Sequence, residues 1–236
     1  MIQCRMLTLV ALACISNIST PPITAADEKL TLLDGKDLSG WTTKEPKSRS
    51  HWRIGKPSLN PIDKQQIIAA EDGAALINAE GRGVDIYTLQ KFSDVRIELE
   101  VMVPKGSNSG IYVMGEYEVQ VFDSFGKQDL NGGAMGAIYG AAPPRTNAQT
   151  EPGTWNKYVI DFRAPRFDST GALTEKAKFI KVELNGQILH EHVEMNGPTP
   201  SGVTGKETPA GGPLMLQGDH GPVAYRNITI RAIKRP

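Results

Sequence analysis

Between Ser107 and Ser124 the chain reads SNSGIYVMGEYEVQVFDS, and its side chains alternate in character with a period of two. On an extended strand this places Tyr112, Met114, Glu116, Glu118 and Gln120 on one side. Ile111, Val113, Tyr117, Val119 and Val121 fall on the other, because successive side chains of a strand point to opposite faces. One face is apolar enough to enter a core, and the other carries carboxylates and an amide. Such a face is unusual as plain surface and common as the floor of a sugar-binding groove.

The rest of the chain has to be compatible with that sheet. Val95, Ile97, Leu99, Val101 and Val103 alternate with Arg96, Glu98, Glu100 and Met102, the pattern of a half-buried strand. Lys178–Leu184 and Gln187–Val193 flank Asn185-Gly186, a strong hairpin signal because both central residues of a type I′ turn need positive φ. Ala74–Asn78, Asp85–Leu89, Tyr158–Arg163, Pro213–Gln217 and Ala224–Ala232 read as further strands. No stretch of helical length shows a 3.6-residue apolar period. Many short strands with Gly- and Pro-rich turns predict an all-β fold, an antiparallel jelly-roll β-sandwich. Two segments, 126–154 and 196–212, are too long and too rich in Gly and Pro for strands. Loops of that length are commonly functional, and Met135, Ile138 and Tyr139 give the first of them apolar anchors over one end of the groove.

Residues 1–26 read as a secretory signal: Arg5, an apolar Met6–Ile15 run, and Thr24-Ala25-Ala26 before Asp27. An alternative is lipoprotein processing with Cys14 acylated. The expectation is a periplasmic or secreted protein with one domain over residues 27–236 and no transmembrane segment. Both cysteines, Cys4 and Cys14, lie within the presumed signal, so disulfides and cysteine chemistry are excluded from the mature domain. Of 26 basic residues only Arg5 falls in that segment, leaving 25 against 26 acidic. Without a basic patch to neutralise phosphates, nucleic acid is not the expected partner; a neutral carbohydrate is compatible with this balance.

The order of short motifs is specific. Leu32-Leu33-Asp34-Gly35-Lys36-Asp37-Leu38-Ser39-Gly40-Trp41 is followed by Ser107-Asn108-Ser109-Gly110-Ile111 and Tyr117-Glu118-Val119-Gln120 with Asp123. Then come Gly136-Ala137-Ile138-Tyr139-Gly140, Trp155-Asn156, Leu184-Asn185-Gly186, Leu216-Gln217-Gly218-Asp219-His220-Gly221 and Tyr225-Arg226-Asn227-Ile228. In this order they resemble the 3-keto-disaccharide hydrolase domain family from Leu30 to the end of the chain. Gly218 makes the Gln–Asp–His spacing one residue looser than the family's usual pattern. The resemblance implies a concanavalin A-like lectin/glucanase type of jelly roll, acting on glycosides oxidised to a ketone at carbon 3.

That ketone acidifies the proton on carbon 2. Its removal can expel the aglycone from carbon 1, and water can then add to the enone. Such a site needs a base, a donor for the enolate oxygen and an acid for the leaving group, with a metal ion able to replace the donor. By face and by family position, Glu118 is the candidate base, and Asn108, Gln120 and Gln217 are substrate-binding candidates. His220 and Asp123 are candidates for proton delivery or metal ligation, Arg226 for oxyanion or carboxylate pairing, and Tyr139 for a loop contact to the sugar. A divalent ion, calcium or a transition metal, is a conceivable cofactor, with Asp34, Asp37 and Asp123 as loose ligands.

Each residue also has a plainer reading. Glu118 could be a solvated or ion-paired strand carboxylate, Asp123 a turn cap, His220 a loop histidine, Arg226 a cross-strand ion-pair partner and Asn108 ordinary turn chemistry. His190 and His192 have a spacing suited to a shared metal but sit on a hairpin expected to be exposed. Two other functions compete. A retaining glycosidase would use Glu116 and Glu118, which share a face, although Gln120 at the next position cannot act as nucleophile or acid. A non-catalytic carbohydrate-binding module would use the same groove, although aromatic residues make up only 6% of the chain.

Overall fold

The computed structural model describes residues 29–234; the presumed signal and Cys14 lie outside the described residues. The chain lays down β1 (Leu30–Thr31), β2 (Trp41–Thr43), β3 (Trp52–Leu59), β4 (Ile67–Asn78), β5 (Ile86–Phe92), β6 (Val95–Met102), β7 (Asn108–Val113) and β8 (Tyr117–Phe122). It continues with β9 (Asn156–Arg163), β10 (Arg166–Phe167), β11 (Leu173–Glu175), β12 (Lys178–Leu184), β13 (Gln187–Glu194), β14 (Gly212–Leu216) and β15 (Val223–Ala232). All strand pairings are antiparallel. One sheet runs β13-β12-β9-β6-β15-β4-β3, with β1 beside the far end of β15; the other runs β2-β5-β14-β7-β8, and β10-β11 form a small ribbon. The architecture is the expected all-β, jelly-roll-like sandwich.

The inner faces meet through the alternation already visible in the sequence. Ile97, Leu99 and Val101 of β6, and Ile111, Val113, Tyr117, Val119 and Val121 of β7 and β8, all enter one core cluster. Phe162 sits at its centre, 5.2 Å from the Tyr117 ring and 5.1 Å edge-on to Phe179, so aromatic contacts tie the two sheets together. The Asn185-Gly186 turn adopts φ of 51° and 81°, as type I′ geometry requires. β3 has no counterpart among the expected strands because Gly55 and Pro57 read as turn residues. It lies at an edge of its sheet, where a missing N–H is tolerated.

The segment of deepest polar alternation differs from expectation in one respect. Ser107–Ser124 is a hairpin, not one strand: β7 and β8 pair in register with Tyr112 opposite Glu118 and Val113 opposite Tyr117. Met114 and Gly115 turn the chain at φ of 55° and 68°. The parity of the side chains survives because the three-residue loop returns the chain in register. Asn108, Gly110 and Tyr112 of β7 therefore face outward beside Phe122, Gln120 and Glu118 of β8.

Both long loops are ordered by this hairpin. Segment 134–142 lies along the free edge of β8: Gln120 N donates to Ala137 O at 2.8 Å, Gly136 N to Gln120 O at 2.8 Å, and Tyr139 N to Glu118 O at 3.1 Å. An otherwise open edge is thereby paired. Segment 199–205 closes over the turn: Thr199 N donates to Glu116 O at 2.7 Å and Val203 N to Gly115 O at 2.8 Å.

Candidate active site

Where the two loops converge on the outer face of β7 and β8 they leave a cleft of about 140 Å³, lined by Asn108, Tyr112, Glu118, Gln120, Tyr139, Pro200, Ser201, Gln217 and His220. That volume is below the ~300–1,000 Å³ of pockets for larger ligands, a size for one ring rather than an oligosaccharide. Six of the eight residues expected at a site meet here: Glu118, Asn108, Gln120, Tyr139, Gln217 and His220.

Glu118 forms the floor and is 4% exposed. Its carboxyl accepts from the Tyr112 hydroxyl at 3.0 Å, and its backbone N–H donates to Thr199 Oγ1 at 3.1 Å. Burial pushes its pKa up to about 7, opposed by the Tyr112 bond and by His220, and reinforced by Asp85 and Asp219. A carboxyl poised near neutrality can both take and return a proton at ordinary pH. Room for it depends on Gly110 directly beneath: a Cβ there would stand 2.4 Å from Glu118 Oε1.

The amides divide their duties. Gln120 Oε1 accepts from Val121 N at 3.1 Å, which leaves its NH2 group to donate into the cleft. Asn108 Oδ1 is buried with no hydrogen-bond partner among the described residues, an acceptor open to a ligand donor. Gln217 N donates to Gly110 O at 2.9 Å, and Gln217 O accepts from Ser109 Oγ at 2.7 Å. Two tyrosines of the larger sheet support this floor from behind. Tyr158 donates to Gln120 O at 3.0 Å, and the Tyr225 hydroxyl lies 2.8 Å from Ser109 Oγ. His220 stands exposed at the rim, its Nδ1 2.5 Å from Asp219 Oδ1. The loop carrying it is shaped at Gly218, where a Cβ would lie 2.3 Å from Val84 O.

Two expected residues are elsewhere. Arg226 follows the core-facing Tyr225, so alternation turns it to the outer face of the larger sheet. There its Nε donates to Glu100 Oε2 at 2.6 Å and its guanidinium stacks 4.1 Å over Trp155. Asp123 is a turn cap: Oδ2 accepts from Gly106 N at 2.8 Å, and Oδ1 from Gln149 Nε2 at 3.1 Å and Phe125 N at 3.2 Å. Those lone pairs are engaged by the protein, so Asp123 does not fit a metal-ligand role. Asp34 and Asp37 likewise accept from the amides of Lys36 and Ser39, and no group of three or more His, Cys, Asp or Glu gathers among the described residues.

Glu116, the second carboxylate of a paired-acid site, also faces away from the cleft. Its Oε1 accepts from Thr204 N and Oγ1 at 2.7 Å each, and its Oε2 from Gly205 N at 2.9 Å. His190 is 3% exposed, not on an open face, with Nε2 2.9 Å from Gly136 O. His192, two residues on, is exposed. Burial holds the His190 pKa below its usual value; it is a support for the loop rather than half of a metal pair.

Tyr112 and the 199–201 segment line the cleft without having been assigned a role from sequence. The signal for Tyr112 was the Met114-Gly115 turn, which sets it opposite Glu118; nothing local announces that Pro200 and Ser201 return to the same place.

Residues 28–231 match the model of the 3-keto-alpha-glucoside-1,2-lyase-like domain. The chain belongs to this family. Half of it, 125 residues, is 31% identical to a 3-keto-disaccharide hydrolase of Bacteroides thetaiotaomicron, of which the match spans 36%. The chain therefore covers about a third of the length of that relative. Among solved structures, a proposed glycosyl hydrolase of Parabacteroides distasonis superposes with a TM-score of 0.69 at 30% identity, over 88% of this chain and 84% of that one. A second proposed glycosyl hydrolase of that organism has a TM-score of 0.58 at 17% identity, over 87% and 94%, and shares the fold.

Proposed function

We propose that this family domain is a carbohydrate-active enzyme cleaving 3-keto-glycosides by elimination and hydration, with Glu118 as base. The observation that carries the reading is the lone buried carboxyl of Glu118 at the floor of a ring-sized cleft, its pKa raised to about 7. The names of the family and of the Bacteroides relative support the substrate class.

In this reading Glu118 takes the proton from carbon 2, and the electron pair moves onto the ketone oxygen as an enolate. The enolate re-forms the ketone as the bond from carbon 1 to the glycosidic oxygen breaks, and His220, oriented by Asp219, protonates the leaving oxygen. Water then adds to carbon 1 of the enone, its released proton restoring His220, and Glu118 returns its proton to carbon 2. The sum is hydrolysis. The Gln120 amide and Asn108 Oδ1 hold sugar hydroxyls, and Tyr139 contacts the ring from the loop. Export from the cell is part of the same proposal and rests on residues 1–26.

A retaining glycosidase would need a second carboxylate about 5 Å from Glu118, and Glu116 is turned into the 199–205 loop instead. The test is incubation with a 3-keto-glycoside and with its unoxidised parent, with and without chelator, following enone absorbance. Cleavage of the keto form alone is expected, and Glu118→Gln should lower turnover by roughly 10²–10⁴-fold. Cleavage of the parent alone would instead establish an ordinary glycosidase, and binding without cleavage a carbohydrate-binding module.

A further inference from the structure

We infer that Tyr112 is the positioning residue that lets the single Glu118 carboxyl serve both halves of the reaction, its hydroxyl turning between Glu118 and the Pro200 carbonyl. The inference rests on the reading of Glu118 as base and extends it to a residue with no role so far.

Tyr112 is 1% exposed and lies directly across the hairpin from Glu118. Its hydroxyl has two acceptors within reach, Glu118 Oε2 at 3.0 Å and Pro200 O at 3.2 Å. One hydroxyl proton cannot serve both fully, so the charge on Glu118 decides between them. While Glu118 is ionised, the proton lies toward the carboxylate, since hydrogen bonds to charged acceptors are the stronger ones. Once Glu118 has taken the carbon-2 proton it becomes a donor. It then donates to the Tyr112 oxygen, and the tyrosine proton turns to Pro200 O.

No proton passes to or from the phenol, whose ionisation is strongly opposed by burial and by Glu118 itself. The proton from carbon 2 therefore stays on Glu118 until it is returned, and the carboxyl is hydrogen-bonded in both states. Pro200 is held in place through Thr199, whose N–H donates to Glu116 O and whose Oγ1 accepts from Glu118 N.

The other titratable groups that act on Glu118 are His220 and Asp219 on the loop after β14, and Asp85 just before β5, itself paired with Lys44 at 3.1 Å. Tyr225 of β15 senses Glu118 from behind the sheet. Tyr112 is the one among them that hydrogen-bonds Glu118, and a phenylalanine keeps its ring while removing that bond.

The experiment titrates Glu118 directly in the full chain by carbon-13 NMR of glutamate-labelled protein, the signal being assigned by its loss in Glu118→Gln. In Tyr112→Phe the midpoint should rise from about 7 by about one pH unit. The ascending limb of kcat/KM on a 3-keto-glycoside should move with it, while KM changes less than about threefold. Should Tyr112→Phe fold poorly, 3-fluorotyrosine at position 112 supplies a stronger donor and should lower the midpoint. A midpoint that stays within about 0.3 unit in the folded variant overturns the inference, even in an enzyme that cleaves the substrate. A midpoint that moves in a protein cleaving no 3-keto-glycoside overturns the proposed function, while leaving the control of Glu118 by Tyr112 in place.

Discussion

Glu118 carries a stability cost that its neighbours only partly offset. Its pKa rises from 4.5 to about 7 on folding, chiefly through burial. Between those values the folded protein holds a proton that the unfolded chain releases, so stability falls as pH rises from about 4.5 through 7. The shift corresponds to on the order of 3 kcal/mol once Glu118 is ionised. Glu118→Gln should therefore raise the melting temperature at pH 8 and leave it nearly unchanged at pH 5; equal gains at both would refute the assignment. Gly110 offers a sharper geometric test, because its Cβ would fall 2.4 Å from Glu118 Oε1 without any demand for positive φ. Gly110→Ala should displace the carboxylate and lower kcat/KM by tenfold or more, with the far-ultraviolet circular dichroism of the sheet retained. At this scale the sequence was informative about Glu118 and Gln120, which share a face because they stand two apart on one strand. It misled on Arg226 and Asp123: a motif position says which residue type recurs, whereas an ion pair to Glu100 or a capped turn depends on who the neighbours are.

The site exists because a hairpin gathers two loops that have no regular structure of their own. Glu116 is the clamp for the second of them, accepting three hydrogen bonds from Thr204 and Gly205 while 2% exposed. Gly202 makes this possible, since a Cβ there would lie 2.2 Å from Glu116 Oε2. Glu116→Ala orphans those donors, with a cost on the order of 1–3 kcal/mol. It should also raise KM and speed proteolysis within 199–206, since Pro200 and Ser201 line the cleft; unchanged cleavage there would show that the loop is held by other contacts. Much of the sheet was legible, because β6 alternates cleanly and Asn185-Gly186 names its own turn. The order in the 196–212 loop was not, because its anchors are the Gly115 and Glu116 carbonyls and the Glu116 carboxylate, 88 positions before Thr204 in the chain.

Within residues 29–234, which contain no cysteine, stability rests on the seam between two sheets. Phe162 is fully buried between Tyr117 of one sheet and Phe179 of the other. Phe162→Ala should cost about 3–5 kcal/mol and lower the urea midpoint without changing the unfolding slope. A loss under about 1 kcal/mol would mean that the seam repacks. Period-two alternation and turn chemistry settle what the chain can become locally, because side-chain direction on a strand and φ at a turn are properties of a few consecutive residues. The sequence by itself therefore determined a two-faced antiparallel sandwich, and through the order of its motifs the family. Which carboxylate faces the cleft was left to the tertiary structure. Glu116 and Glu118 are the same residue two positions apart, and only the fold turns one into a loop and leaves the other at the floor of a cleft, where burial holds it near neutrality.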